Sequence, residues 1–167
     1  MKLPRSALLC AAGLLSACSP GLDLYTPPDA REFVASCARG VDAVACRALL
    51  PTLQSGEGEV TVLLVNASDA DIKAQLGREL SRKGVSLGEF LTSAEAGNFA
   101  RAHIFQASRL QTGEMRTLDG KLHDVACRTE GQTEYCRVDG RIEGFNRLDR
   151  EPGRKGSVYL MTGLLPF

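Results

Sequence analysis

The sequence predicts an α+β domain, and three observations predict it. Apolar residues recur at helical spacing through much of the chain before His103, apart from one β-branched run at Val60 to Val65. Beyond His103, Asp119-Gly120, Gly131-Gln132 and Asp139-Gly140 punctuate the chain at intervals of about 8 to 12 residues, the spacing of a meander. The last run, Gly156 to Pro166, is apolar enough to be a buried strand paired with an earlier one. A chain of 167 residues has room for one such domain and not two. Its 44% apolar content with no net charge can bury a core, which excludes disorder. Its 20 basic and 20 acidic residues are interspersed, which argues against nucleic acid, since a polyanion is bound by a clustered cationic surplus.

The first segment reads as an address. Lys2 and Arg5 precede Ala7 to Ala17, an apolar run of about a dozen residues, too short for the roughly 20 that cross a bilayer. Leu15-Ser16-Ala17-Cys18 resembles a bacterial lipobox, in which small residues admit the peptidase and the Cys thiol takes the lipid; the alternative is a plain signal peptide with a chance cysteine. The resemblance implies residues 1–17 as a lipoprotein signal peptide, acyl chains on Cys18, and attachment to a membrane that the chain does not span. It also implies a cell-envelope location, and the outer membrane if the host has two, because Ser19 after the Cys is not acidic. Without its first 17 residues the chain has 150, and without Lys2 and Arg5 it has 18 basic against 20 acidic residues. Residues 18–28 then form a lipidated Cys and tether, rich in proline, and ten residues reach at most about 33 Å.

Cysteine usage agrees with export. Cys10 leaves with the signal and Cys18 is committed to lipid, so Cys37, Cys46, Cys127 and Cys136 remain, an even number that suggests two disulfides. A two-residue hairpin at Gly131-Gln132 pairs Glu130 with Thr133, Thr129 with Glu134, Arg128 with Tyr135, and Cys127 with Cys136 on a non-hydrogen-bonded pair, where a bridge can form. Cys37 and Cys46 lie in helical sequence broken by Gly40 and Asp42, and folding two short helices together brings their thiols near. Zinc is the rival reading, but C-x8-C lacks knuckle spacing and His103 and His123 form no ligand repeat, so no metal or other cofactor is expected.

Along the domain, helical sequence runs from Arg31 to Leu50 and stops before Pro51. Val60 to Val65 is a buried strand. Ile72, Leu76 and Leu80 stripe one helix, opened by Ser68 and closed by Arg82-Lys83-Gly84. The capping-box spacings Ser86/Glu89 and Thr92/Glu95 predict short helices over Leu87 to Leu91 and Ala94 to Ala102. His103-Ile104-Phe105 starts the strands. Strict two-residue pairing around Asp139-Gly140 would mix faces there, so that turn is read as wider or bulged.

This order resembles the fasciclin (FAS1) domain over residues 29–167. Gly156, Val158, Leu160, Met161, Gly163, Leu164 and Leu165 fit that family's closing N-G-V-[VI]-H-V-I-D-x-V-L-x-P, and Pro166 stands one position before its final Pro. Leu50-Pro51-Thr52-Leu53, Thr61-Val62, Ser68-Asp69 and Ile72 are similar to its run into T-V-F-A-P-T-[DN]-x-A-F, and Phe99 to Ile104 to its L-x-x-Y-H-V, with His103 at the His. Ala67, Ala102, Tyr159 and Thr162 depart from the family's Pro, Tyr, His and Asp, and aligning Thr61-Val62 takes a two-residue insertion. The resemblance implies short N-terminal helices on a β-meander wedge closed by the C-terminal strand. Its functional implication is adhesion, or interaction with an envelope or matrix protein or polysaccharide; the alternative is carriage of a hydrophobic small molecule.

Candidate contact residues are His103, Tyr159, Arg150, Arg154 and Lys155. For His103 the competing role is a hydrogen-bonded packing residue, and for the loop from Arg147 to Lys155 a solvated connection. No G-x-S-x-G, H-E-x-x-H or P-loop pattern occurs. The acidic pairs Asp69/Asp71 and Asp149/Glu151 lie at helix starts or among basic residues, where they cap or are solvated. The chain is therefore read as a binding protein, with an enzyme of unrecognised chemistry as the remaining alternative.

Overall fold

The computed structural model describes residues 30–37, 44–65, 70–147 and 156–167, with only the backbone of Ser36 and Arg147. The helices are α1 (Ala30–Cys37), α2 (Val44–Ser55), α3 (Ala70–Arg82) and α4 (Ala94–Ala102), with a single 3-10 turn at Phe90–Thr92. The strands are β1 (Val60–Val65), β2 (Ile104–Phe105), β3 (Gly113–Arg116), β4 (Leu122–Glu130), β5 (Thr133–Val138), β6 (Ile142–Arg147) and β7 (Gly156–Met161). Among the described residues no helix is long and apolar enough to cross a membrane.

One seven-stranded sheet runs in the order β2-β1-β7-β6-β5-β4-β3. Its neighbours are antiparallel except β1 and β7, which pair in parallel from Val60↔Gly156 to Val65↔Met161. The two edges almost meet. Phe105 bridges Thr117 just beyond β3, and Leu118 N–H donates to Ile104 O at 2.8 Å, so the sheet curls nearly shut. Cross-strand pairs share a face, and alternation sorts Tyr159, Glu134, Cys136, Val138 and Val125 to the enclosed side. β1 is buried on both faces, and α1 and α2 pack against it. That is why its sequence is a continuous β-branched and leucine run rather than an alternation.

Helix ends follow their side chains, with three corrections. α2 does not stop at Leu50 but continues through Pro51 to Ser55. An interior proline costs roughly 3 kcal/mol. Burying Leu53, which is 2% exposed, offsets about 2 kcal/mol of that. Arg31 adds a C-terminal cap, its Nε donating to Leu53 O at 3.0 Å. Second, no α-helix forms over Leu87 to Leu91. Ser86 and Glu89 make only half of a capping box: Ser86 N–H and Oγ both donate to Glu89 Oε2, while Glu89 N–H donates to Ser86 O and not to its Oγ, and only turns and Phe90–Thr92 follow. Third, the N-cap of α4 is Ser93, whose Oγ accepts from Glu95 N–H, not Thr92. α3 ends as expected at Gly84, in the left-handed region at φ 72°, with Gly84 N–H on Ser81 O and Val85 N–H on Leu80 O. Its cap Ser68 lies outside the described residues.

Both disulfides are present. Cys37–Cys46 ties α1 to α2, and Cys127–Cys136 ties β4 to β5 across a hairpin in the register derived from the Gly131-Gln132 turn. Beyond it, Val138 pairs with Ile142 around the three residues Asp139, Gly140 and Arg141, the wider turn that the face alternation demanded.

Candidate functional site

Three places hold chemistry-bearing side chains. The first is the end of the enclosed face where β1 and β7 begin. Glu134 on β5 and Asn146 on β6 are cross-strand partners, and Tyr159 lies on β7 beyond them. All three are buried. The Tyr159 hydroxyl donates to Glu134 Oε2. From the connection between β2 and β3, Arg109 Nε reaches both carboxylate oxygens at 3.1 and 3.0 Å, and its Nη2 reaches Oε1 at 2.5 Å.

The same connection is fastened twice more, Thr61 Oγ1 donating to Ala107 O and Ser157 Oγ to Ser108 O, both at 2.7 Å. It thus covers this end of the sheet. Burial pushes the Tyr159 phenol well above its ordinary range, and the Glu134 carboxylate beside it adds to the push, so Tyr159 acts only as a neutral donor. The hydrogen bond to Glu134 likewise raises Arg109. With both oxygens engaged, the carboxylate serves here as an acceptor that holds two elements together.

His103 caps the C-terminus of α4 and is fully buried. Leu165 N–H donates to its Nε2 at 3.1 Å, so Nε2 carries the lone pair and Nδ1 the proton, which it donates to Phe99 O at 2.8 Å. The ring stacks on Phe99 at 4.1 Å, and Phe167 closes over both with its edge. Burial holds the imidazole pKa down to about 4, so it is neutral at pH 7. His123 is also buried. Its Nδ1 lies 2.8 Å from Asp139 Oδ2, and its Nε2 has no hydrogen-bond partner among the described residues.

On the outer face, register aligns Leu64, Leu160, Phe145, Tyr135 and Arg128 into one row across β1, β7, β6, β5 and β4. Leu64 is buried, whereas Phe145 is 40% exposed and Leu160 and Tyr135 are half-buried. Arg128 sits 4.9 Å from the Tyr135 ring centroid, where the cation meets the aromatic face, and is also held by Glu130 and Glu143. An exposed aromatic row flanked by an arginine has the composition of a protein contact surface.

Of the contact residues expected from sequence, His103 and Tyr159 therefore lie in the interior, at separate places, each with its polar atoms engaged by the protein itself. Cys18, Arg150, Arg154 and Lys155 lie outside the described residues. Among the described residues no group of three or more His, Cys, Asp and Glu is placed to hold a metal ion. Sequence reasoning missed Arg109 and Glu134, and also the outer row. One signal was available: the hairpin register puts Glu134 on the same face as Val138, and a carboxylate on a core face needs a cation. No family model matches the chain, and no curated protein matches it.

Proposed function

We propose that this chain is a lipid-anchored binding module of the cell envelope, with a FAS1-like body that contacts an envelope or matrix protein. The observation that carries the binding role is the outward row Leu160–Phe145–Tyr135–Arg128, an aromatic and cationic stripe on a sheet face where Phe145 stands 40% exposed. Two disulfides support an exported, oxidising location, and the lipobox-like Leu15 to Cys18 supports the anchor. The fasciclin reading draws support from the order of elements, helices before a meander, and from a closing strand that lies parallel beside β1. His103, at the family's His position, joins α4 to the C-terminal segment.

The test has two arms in a bacterial host. Metabolic labelling with a fatty-acid probe labels the full chain and partitions it to membranes, and Cys18→Ser abolishes both; an unmodified thiol at Cys18 overturns the anchor. Cross-linking from intact cells captures a protein partner that Phe145→Asp loses while its Tm is unchanged. Retention of that partner by Phe145→Asp overturns the assignment of the face.

A further inference from the structure

Beyond β7 the chain joins no further ladder, and residues 164–167 are fastened by side chains from separate places. Leu164 N–H donates to Gln75 Oε1 on α3 at 3.3 Å, and Leu165 N–H to His103 Nε2 at 3.1 Å. Lys121 Nζ, from the turn between β3 and β4, donates to Pro166 O at 3.2 Å. The Phe167 ring lies over Phe99 and Phe90, and Lys83 Nζ stands 4.8 Å from its centroid. Of these bonds, the one to His103 is buried. Those of Gln75 and Lys121 are exposed, where water replaces them at little cost.

The buried bond requires a lone pair. Nδ1 keeps its proton on Phe99 O, and Nε2 accepts from Leu165 because it carries none. A second proton would set two donors, Nε2–H and Leu165 N–H, against each other with no acceptor between them. It would also leave a charged ring without water, since His103 is fully buried. Outward movement of residues 164–167 removes both conflicts, because it withdraws the Leu165 donor and admits water to Nε2.

The surrounding charges leave this choice to the imidazole. Asp119, whose backbone N–H binds Arg101 O at the end of α4, favours the proton, while Lys121 and His123 oppose it. Burial pushes the Asp119 carboxyl up, but bonds from Thr117 and Lys121 outweigh it and hold the group below its ordinary range. Lys83, the cation over Phe167, holds Glu95 down in the same way. Both carboxylates therefore stay charged while His103 takes its proton.

We infer that residues 164–167 form an acid-released strap, in which a proton on His103 Nε2 breaks the bond from Leu165 and frees the segment, uncovering the apolar surface of Phe90 and Phe99 beneath Phe167. The strap is separate from the outer row and does not depend on the function proposed for it. With the strap closed the imidazole pKa is about 4, and with water at the ring it returns toward 6.5. The closed state is therefore fully favoured above about pH 6.5 and loses ground as pH falls, by up to about a hundredfold at pH 4.

Backbone hydrogen exchange followed by NMR on the full chain, with both disulfides intact, tests the inference. Protection of the Leu165 amide, corrected for the intrinsic pH dependence of exchange, should fall by up to about a hundredfold between pH 6.5 and 4. It should also be lower than that of the β5 amides at each pH and insensitive to low urea, as a local opening is. His103→Gln supplies a donor for Phe99 O and an acceptor for Leu165 N–H that do not titrate in this range, so the fall should disappear. Equal Leu165 protection at the two pH values overturns the inference, as does a fall that persists in a folded His103→Gln. So does Leu165 exchange that matches β5 in protection and urea dependence, which would mean that the segment opens only when the whole molecule unfolds. Where His103→Gln does not fold, the imidazole nitrogen shifts of the parent decide: a proton on Nδ1 alone at pH 6.5 is expected, and a proton on Nε2 there overturns the strap.

Discussion

The Tyr159 hydroxyl donates to Glu134 across a strand that separates them, since β6 lies between β7 and β5. The bond spans the enclosed face rather than following the backbone ladder, and Arg109 completes it from a connection outside the sheet. Tyr159→Phe deletes a hydrogen bond to a charged acceptor and should cost about 2 kcal/mol. Glu134→Ala leaves a buried hydroxyl without an acceptor and should cost about 3 kcal/mol. Arg109→Ala should cost only about 1 kcal/mol, because its side chain is 47% exposed and screened. Urea unfolding of the single variants and of Tyr159→Phe/Glu134→Ala checks this. The double-mutant cycle should show coupling of about 1 kcal/mol or more, and strict additivity would refute the cluster.

His103 makes stability depend on pH in a defined window. Its folded pKa, about 4, lies below the 6.5 of an unperturbed His, so between those values the unfolded chain binds a proton that the folded chain refuses. Stability is therefore complete above about pH 6.5 and falls as pH drops toward 4, by about 3 kcal/mol from this group alone. Carboxylates held down by partners, such as Glu95 beside Lys83, lose their contributions at lower pH. His103→Gln should flatten the curve between pH 6.5 and 4 whatever its own cost. An unchanged slope in a denaturant titration series would show that the imidazole is not buried neutral.

Each disulfide closes a loop with a sequence separation of 9. In the loop-entropy model each should contribute about 2.5 kcal/mol. Cys37→Ser/Cys46→Ser frees α1 from α2, and Cys127→Ser/Cys136→Ser frees two strands that a tight turn already holds together. Thermal unfolding should therefore show the larger loss in the first pair, because helix α1 has only 8 residues and is too short to persist alone.

Gly156 opens β7 at φ 118°, and a Cβ there would collide with the carbonyl oxygen of Val60 on β1. Gly156→Ala should cost about 3 kcal/mol or more, read as a lowered urea midpoint, since a backbone oxygen in a paired strand cannot step aside as a side chain can. By contrast, Gly77→Ala on α3 meets nothing within 4 Å and should raise stability slightly. Equal effects at the two positions would contradict the close approach of β1 and β7.

What was legible in the sequence was local. The Gly131-Gln132 turn determined the β4–β5 register down to Cys127↔Cys136, because a two-residue turn leaves one pairing. The Ile72, Leu76 and Leu80 stripe and the Gly84 terminus were legible for the same reason: periodicity and caps act within a few residues. The end of α2 was misread because Pro51 obeys a local rule that tertiary burial of Leu53 overrides. Arg109 was invisible because its partner is 25 residues away, and the row at Phe145 because it exists only once five strands are in register.

The parallel pairing of β1 with β7, which joins Val60 to Gly156, brings together the strands whose partners lie farthest apart in sequence among the described residues. Closing that span is entropically expensive and must follow the quick, neighbouring zippers of β4, β5 and β6. A ribosome or a translocation channel that has released everything up to Lys155 holds hairpins and helices but no closed body. Residues 156–167 join those pieces, because β7 pairs with β1 on one side and β6 on the other, so the sheet is continuous only once this segment is in place.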